Sequence, residues 1–325
     1  IARLLSHKDP NAALVAQDGP SVLDAIWNAK VYRPDGILDT EALKESLDQE
    51  VTWGLNYPWD SLTLYTYGIR LHEIITVLAG SGMGKTELFK EIGLSLVKQG
   101  QKIGIIFLEE IPSHTVKCLI GKDIKKRIHI PEVEYSREEL EQSFDSLFGQ
   151  GQISIYDHKG VSDWEIISAK IRYMVHSGVN YIFVDHITAM AEGKGEESVN
   201  AKIHEIMEEI NKMTQELPLT VFLISHLKKA LGRPYEEGGR VTADAAYGSG
   251  AIKQRSNFIF GLERNQQAED EERHLTTIRV LKDRYTGQSV GKLLKIKFNE
   301  TTGLCEEQLE DYFAGEPGEE ASDDY

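Results

Sequence analysis

Residues 73–86 read Glu73-Ile-Ile-Thr-Val-Leu-Ala79-Gly80-Ser81-Gly82-Met83-Gly84-Lys85-Thr86. The first seven form a short apolar run rich in β-branched residues, the pattern of a buried strand. The rest matches G-x-x-x-x-G-K-[ST], with Ala79 in place of the first glycine. A helical pattern, 85–98, follows directly. Gly80, Gly82 and Gly84 let the backbone curl so that the N–H groups of Ser81, Gly82, Met83 and Gly84 converge on a phosphate at a helix N-terminus. Lys85 is placed to neutralise β- and γ-phosphates, and the Thr86 hydroxyl to ligate Mg²⁺.

Outward from this loop, strands and helices alternate. Apolar runs at 73–79, 103–108, 152–156, 180–184 and 219–225 read as buried strands, and 85–98, 136–148, 162–177 and 199–216 as the helices between them. That alternation predicts an α/β fold with a mostly parallel central sheet covered on both faces. Three further strand-like runs, 257–263, 275–281 and 292–298, have no long helix between them and predict an antiparallel C-terminal extension. The C-terminal ends of parallel strands form the ligand crevice. Three of them carry polar residues: Glu109 and Glu110 after Phe107-Leu108, Asp185 after Phe183-Val184, and His226 after Ile224-Ser225. Asp185 is the expected Mg²⁺ partner. Glu109 is positioned to activate a water, and His226 to touch the terminal phosphate and report its loss.

The chain has 325 residues and a formal charge of −16, from 52 Asp+Glu against 36 Lys+Arg. This acidity argues against nucleic acid wrapped on the whole surface, but leaves room for a local basic site. Nine acidic residues and no basic ones lie in 306–325, which we read as a disordered acidic tail. Residues 1–55 read as a linker with short helices, capped by Ser21 and Thr40, and 56–305 as one domain. Two cysteines, Cys118 and Cys305, exclude a disulfide framework and a four-cysteine zinc site, and suggest a reducing compartment. No apolar run reaches the ~18 residues of a membrane span. The missing initial Met leads us to expect a fragment of a longer chain.

Further motifs follow in order: LEE at 108–110, FVDH at 183–186, ISHLKK at 224–229, YGSGAIKQRSN at 247–257, LERNQQ at 262–267 and LKDRYTG at 281–287. With the phosphate loop they make the chain resemble the replicative DNA helicases of the DnaB type (superfamily 4). The similarity is greatest to the helicase half of bacteriophage T7-like primase–helicases. It covers roughly 60–305 and implies a RecA-like P-loop NTPase core. It also implies a ring of six subunits, with seven as the alternative, and nucleotide between neighbours.

Carried onto this chain, the resemblance makes Arg284 the arginine finger acting in trans, with Lys282 a weaker candidate on the same face. Arg264 and Phe298 become the residues that sandwich the base. Phe298 stands where the phage relatives have Tyr. Gln254 is implied to lie near the γ-phosphate, and Lys253 replaces an arginine. DNA contacts are expected on 227–242, through Lys228, Lys229, Arg233 and Arg240, and on 244–253, through Gly250 and Lys253. Loop 190–200 is a third candidate for the channel.

The implied reaction is hydrolysis of dTTP or ATP with Mg²⁺, coupled to 5′→3′ movement on single-stranded DNA and duplex unwinding. The implied setting is the cytoplasm of an infected bacterium. An N-terminal primase domain is expected in the full-length protein. The acidic tail is expected to engage the replicative polymerase, and the apolar stripe Val22, Leu23, Ile26 and Trp27 to pack on the adjacent subunit. Two alternatives remain open: a RecA-like recombinase or clock-type ATPase, and a non-enzymatic loader with a vestigial site.

Overall fold

The computed structural model describes residues 4, 6–27, 40–45, 47, 50–191, 196–230 and 232–309. The chain divides into two compact units, Ile1–Thr52 and Trp53–Tyr325. Among its described residues the first holds three short helices, α1 (Pro10–Val15), α2 (Gly19–Trp27) and α3 (Thr40–Glu45). The Asp9 carboxylate caps α1 by accepting from the Ala12 N–H at 2.7 Å. Part of what reads as linker is therefore helical. Ser21 is not the cap of α2: it lies inside the helix, and its N–H donates to Asp18 Oδ1 at 3.2 Å. Thr40 is the first residue of α3. Leu23, Ile26 and Trp27 of the expected stripe are exposed in the single chain.

The second unit opens with α4 (Asp60–Thr66), then β1 (Ile74–Ala79), α5 (Lys85–Lys98), β2 (Ile103–Phe107), α6 (Pro112–Asp123) and α7 (Arg137–Phe148). Next come β3 (Ile153–Ile155), α8 (Trp164–His176), β4 (Tyr181–Asp185), α9 (Glu196–Glu216), β5 (Thr220–His226) and α10 (Ser249–Arg255). Four strands close it: β6 (Phe258–Glu263), β7 (Leu275–Asp283), β8 (Leu293–Phe298) and β9 (Cys305–Gln308). Among the described residues these nine strands form one sheet in the order β3-β2-β4-β5-β1-β6-β7-β8-β9. Pairing is parallel from β3 to β6 and antiparallel from β6 to β9. The RecA-like α/β arrangement expected from the sequence is what the chain adopts.

Strand side chains alternate between two buried faces, which is why these runs read as continuously apolar. On β1, Ile75, Val77 and Ala79 join one core, with Phe89, Phe183, Phe222 and Phe260. Ile74 and Leu78 join the other, with Trp164, Ile167 and Ile171 of α8 and Ile203, Ile206, Met207, Ile210 and Met213 of α9. The spacing on α9 is a helical stripe, so one face of that helix closes this layer.

Several segments differ from the sequence reading. Residues 249–253 of the expected loop 244–253 are helical, as are 196–200 of the expected loop 190–200, whose residues 192–195 lie outside the described set. Glu306, Glu307 and Gln308, read as the start of the tail, form the edge strand β9 with Cys305. The rest of the tail, 310–325, lies outside the described residues. Among the described residues, no helix is long and apolar enough to cross a membrane.

Candidate nucleotide site

β1 delivers the chain to the C-terminal edge of the sheet, and α5 leaves from the same point. Between them Gly82 and Gly84 adopt φ of 67° and 84°, a left-handed backbone that glycine enters without strain. The loop curls around its own lysine. Lys85 is 8% exposed, and its Nζ donates to the Gly80 carbonyl at 2.7 Å. Burial draws the Lys85 pKa down, against the pull of Asp185, Glu109 and Glu236.

The Thr86 hydroxyl donates to Asp185 Oδ2. Asp185 is 3% exposed at the end of β4, and its Oδ1 is buried without a hydrogen-bond partner among the described residues. Burial raises the Asp185 pKa, while Thr86, His186 and Lys85 act in the opposite direction. A hydroxyl beside a carboxylate with an orphaned buried oxygen is a hard-oxygen donor set, and it fits Mg²⁺. Such an ion, when bound, neutralises charge on the phosphates.

Glu109 lies beyond β2, exposed, with Oε1 3.0 Å from His186 Nε2. The donors around His186 fix its tautomer. The Ala189 N–H points at Nδ1 from 3.1 Å, and the Thr188 hydroxyl also bonds to that nitrogen. A ring nitrogen that accepts from an amide carries no proton, so the proton sits on Nε2 and is donated to Glu109. His226 stacks on His186 with ring centroids 3.9 Å apart. Burial, then His186 and Lys85, push the His226 pKa down to about 4. It is therefore neutral at neutral pH, able to donate or accept one hydrogen bond beside the phosphate loop.

This constellation of Lys85, Thr86, Asp185, Glu109 and His226 sits on adjacent parallel strands. Residues 54–303 match the model of the DnaB-like helicase C-terminal domain. The chain belongs to that family. It is 30% identical over 315 residues to a DNA helicase/primase of Enterobacteria phage T3, covering 93% of this chain and 55% of the relative. It is 25% identical over 257 residues to a probable plasmid replicative DNA helicase of Chlamydia psittaci, covering 77% and 55%. The chain thus spans about half the length of these relatives. Among solved structures, a DnaB-like replicative helicase described with its interactions with primase superposes with a TM-score of 0.67 at 18% identity, covering 90% of this chain and 72% of that one. A KaiC-like protein of Pyrococcus horikoshii superposes less well, with a TM-score of 0.55 at 15% identity over 80% of this chain and 99% of that one. At such identities the likeness is one of fold.

In this DnaB-like domain the remaining site residues fall at two edges of the sheet. Arg264 follows β6, and Phe298 ends β8, both at the edge of the phosphate loop. The Arg264 Nε donates to the Arg273 carbonyl at 2.5 Å, and the Arg127 guanidinium lies 5.3 Å above the Phe298 ring. Arg284, Lys282, Gln254 and Lys253 lie at the opposite edge. Asp283 pairs with Phe258, and Phe258 with Ile75, five residues before Gly80. At ~3.3 Å per residue and ~4.8 Å between strands, Arg284 is about 20 Å from its own phosphate loop.

The turn carrying Arg284 is well defined. Asp283 accepts from the Tyr285 and Thr286 N–H groups (both 2.9 Å) and from the Ser289 hydroxyl (2.9 Å). Burial works against this carboxylate, yet these donors hold its pKa at about 2. Arg284 donates to the Gln254 carbonyl, and Lys282 to those of Lys253 and Ser256. Both cations therefore cap the C-terminal end of α10. Gln254 does not meet its own phosphate loop.

The two expected DNA-binding segments come together. Leu227 bridges Ala246, and the Lys228 N–H donates to the Ala245 carbonyl at 2.7 Å. Lys228 pairs with Glu196 at 2.5 Å, and Lys253 pairs with Asp244. Lys229, Arg233, Arg240 and Gly250 are exposed. Four residues of the site carry no role in the sequence reading. His186 holds Glu109, as described. Glu236 and Tyr235 cover Gly80 so closely that a β-carbon there would lie 3.0 and 2.9 Å from them. Gln266 donates to the Ser81 carbonyl at 3.2 Å, and its own N–H donates to the Glu236 carbonyl at 2.8 Å. The adjacency of His186 to Asp185 was the available signal for the first. The other three reach the loop only through tertiary contacts.

Proposed function

We propose that this chain is the motor domain of a ring-forming replicative DNA helicase. In this reading it couples hydrolysis of dTTP or ATP, with Mg²⁺ on Thr86 and Asp185, to 5′→3′ movement on single-stranded DNA and duplex separation. Glu109 activates the attacking water, Lys85 neutralises the phosphates, and His226 senses the γ-phosphate. The observation that carries the reading is the separation of the phosphate loop and Arg284 on one sheet. Arg284 stabilises phosphoryl charge only at a neighbour's site, as a head-to-tail ring requires. Six subunits close the ring, with seven as the alternative. Arg264 and Phe298 pack on the base, and Gln254 approaches the neighbour's γ-phosphate.

Single-stranded DNA passes through the channel along Lys228, Lys229, Arg233, Arg240, Gly250 and Lys253. These cations track the phosphate backbone without reading bases. The first unit, with Leu23, Ile26 and Trp27, packs on the next subunit. A primase domain precedes this chain in the full-length protein, the acidic tail engages the replicative polymerase, and the protein acts in the cytoplasm of an infected bacterium. The test is hydrolysis of each NTP and dNTP with and without single-stranded DNA, alongside unwinding of a forked duplex. Strong stimulation by DNA and strand separation are expected. Hydrolysis indifferent to DNA would overturn the reading.

A further inference from the structure

A second cluster of ligand-type side chains lies on α6 and the segments that flank it. His114 and Cys118 stand one turn apart on one side of α6, and Glu110 lies two residues before that helix begins. His129, on the segment after α6, completes the group. The donor atoms of the first three converge, and His129 reaches the sulfur: Cys118 Sγ is 3.5 Å from His114 Nε2 and 3.8 Å from His129 Nδ1. His114 Nε2 is 3.9 Å from Glu110 Oε1. The atoms of Glu110, His114 and Cys118 all lie within 4.8 Å of one another. With Zn–S of ~2.3 Å and Zn–N of ~2.05 Å, a tetrahedral site separates sulfur from nitrogen by about 3.6 Å. The two observed sulfur–nitrogen distances straddle that value.

We propose that Glu110, His114, Cys118 and His129 bind one Zn²⁺ per chain, clamping the loop after β2 to α6 and to the segment behind it. One thiolate, two imidazoles and one carboxylate form a mixed set that suits Zn²⁺ better than Mg²⁺ or Ca²⁺. The two-cysteine count excludes a four-cysteine site but not this one.

Burial pushes the Cys118 thiol up while Lys90 pulls it down; a bound dication removes the proton outright. Burial, with Arg127 and His114 nearby, lowers the His129 pKa toward the neutral form that a metal requires. Lys90 is the competing cation, 2.9 Å from Glu110 Oε1. It also pairs with Glu87 at 2.9 Å, and the Thr115 hydroxyl donates to the same Glu110 oxygen at 3.0 Å, so a metal at this site has to displace Lys90 or take the other Glu110 oxygen. Glu110 directly follows Glu109, so the clamp would bear on the residue placed to activate water.

The experiment uses the full chain, stripped of metal and titrated with Zn²⁺ and with Co²⁺ as a spectroscopic probe. One equivalent is expected, with the visible bands of tetrahedral Co²⁺, a thiolate-to-cobalt charge-transfer band, and a rise in Tm on adding Zn²⁺. Cys118→Ser should lose the charge-transfer band, and His114→Ala should weaken binding by more than ~100-fold, beyond the loss usual for groups behind the ligands. Cys305→Ser and His226→Gln should keep both features, the latter separating this cluster from Glu109, His186 and His226. If Cys118→Ser does not fold, His129→Ala, at an exposed position, carries the same test. Absence of stoichiometric binding, or binding unchanged in Cys118→Ser, His114→Ala or His129→Ala, overturns the proposal.

Discussion

Replacing Arg284 by Ala tests the trans reading most directly. The register places this residue about 20 Å from its own phosphate loop, so its loss should leave nucleotide binding at that loop in the same chain intact. An arginine acting across an interface is worth ~10³–10⁵ in kcat, about 4–7 kcal/mol of barrier. Arg284→Ala should fall by that range with KM little changed. Lys85→Ala should also be inactive, but for the opposite reason: it keeps a good arginine and lacks a working loop.

Equal amounts of the two variants, dissociated and assembled together, give a mixed ring. About a quarter of its interfaces then join an intact Lys85 to a neighbour's intact Arg284. Basal hydrolysis without DNA should therefore rise well above either parent, toward about a quarter of the wild-type rate. The assay is steady-state phosphate release, with mixed assembly verified by a size-tagged subunit. A mixture that stays at the parental floor despite proven mixing would refute the argument, because it would mean Arg284 serves its own chain.

Asp185→Asn removes the negative charge beside Thr86, and the Mg²⁺ concentration for half-maximal hydrolysis should rise more than ~10-fold, since even groups behind metal ligands cost that much. For His226, whose folded pKa of about 4 lies below the usual 6.5, the unfolded chain takes up the proton first as pH falls. Stability should therefore drop between pH 6.5 and about 4, and the slope of Tm against pH in that window should flatten in His226→Gln. Lys122, 4% exposed, pairs with Glu87 at 3.1 Å and Glu91 at 3.2 Å. Lys122→Ala leaves the buried Glu91 unpaired and should cost ~3–5 kcal/mol, read from the urea midpoint. Lys229, Arg233 and Arg240 carry no ion pair among the described residues, so the slope of log affinity for single-stranded DNA against log salt should be shallower by about 0.7 on neutralising each.

The parts of the fold that could be read from the sequence are those whose cause is local. A run such as Ile74–Ala79 is buried at every position and apolar at all but Thr76 because both faces of the strand are covered, and that pattern survives without knowledge of its neighbours. α10 gives no such signal. It has seven residues and starts at Ser249-Gly250, and its stability comes from afar: Arg255 makes a bidentate pair with Glu208 on α9, and Lys282 and Arg284 hold its last carbonyls. β9 hides for a similar reason. Cys305-Glu-Glu-Gln308 has the composition of a tail, yet it pairs with β8, and the Trp59 indole donates to the Cys305 carbonyl at 2.8 Å. α6 is obscured by its polar inner side, where Lys122 is buried against carboxylates instead of apolar neighbours.

The site divides along the same line, and the sheet topology explains where. Strands of a parallel sheet all end at one edge, so Lys85, Glu109, Asp185 and His226 could be gathered from the sequence by counting strand ends. The absence of a long helix between 257–263 and 275–281 forces β7 to return antiparallel beside β6. A residue on the turn after β7 must then leave at the opposite edge. That reversal removes Arg284 from its own phosphate loop, which is what the proposed action on another subunit needs. The trans assignment came from resemblance, and the missing helix supplies a physical ground for it: the antiparallel β7 puts Arg284 at the edge away from Lys85, Glu109, Asp185 and His226, and in the proposed head-to-tail ring a neighbour's Arg284 would complete that set.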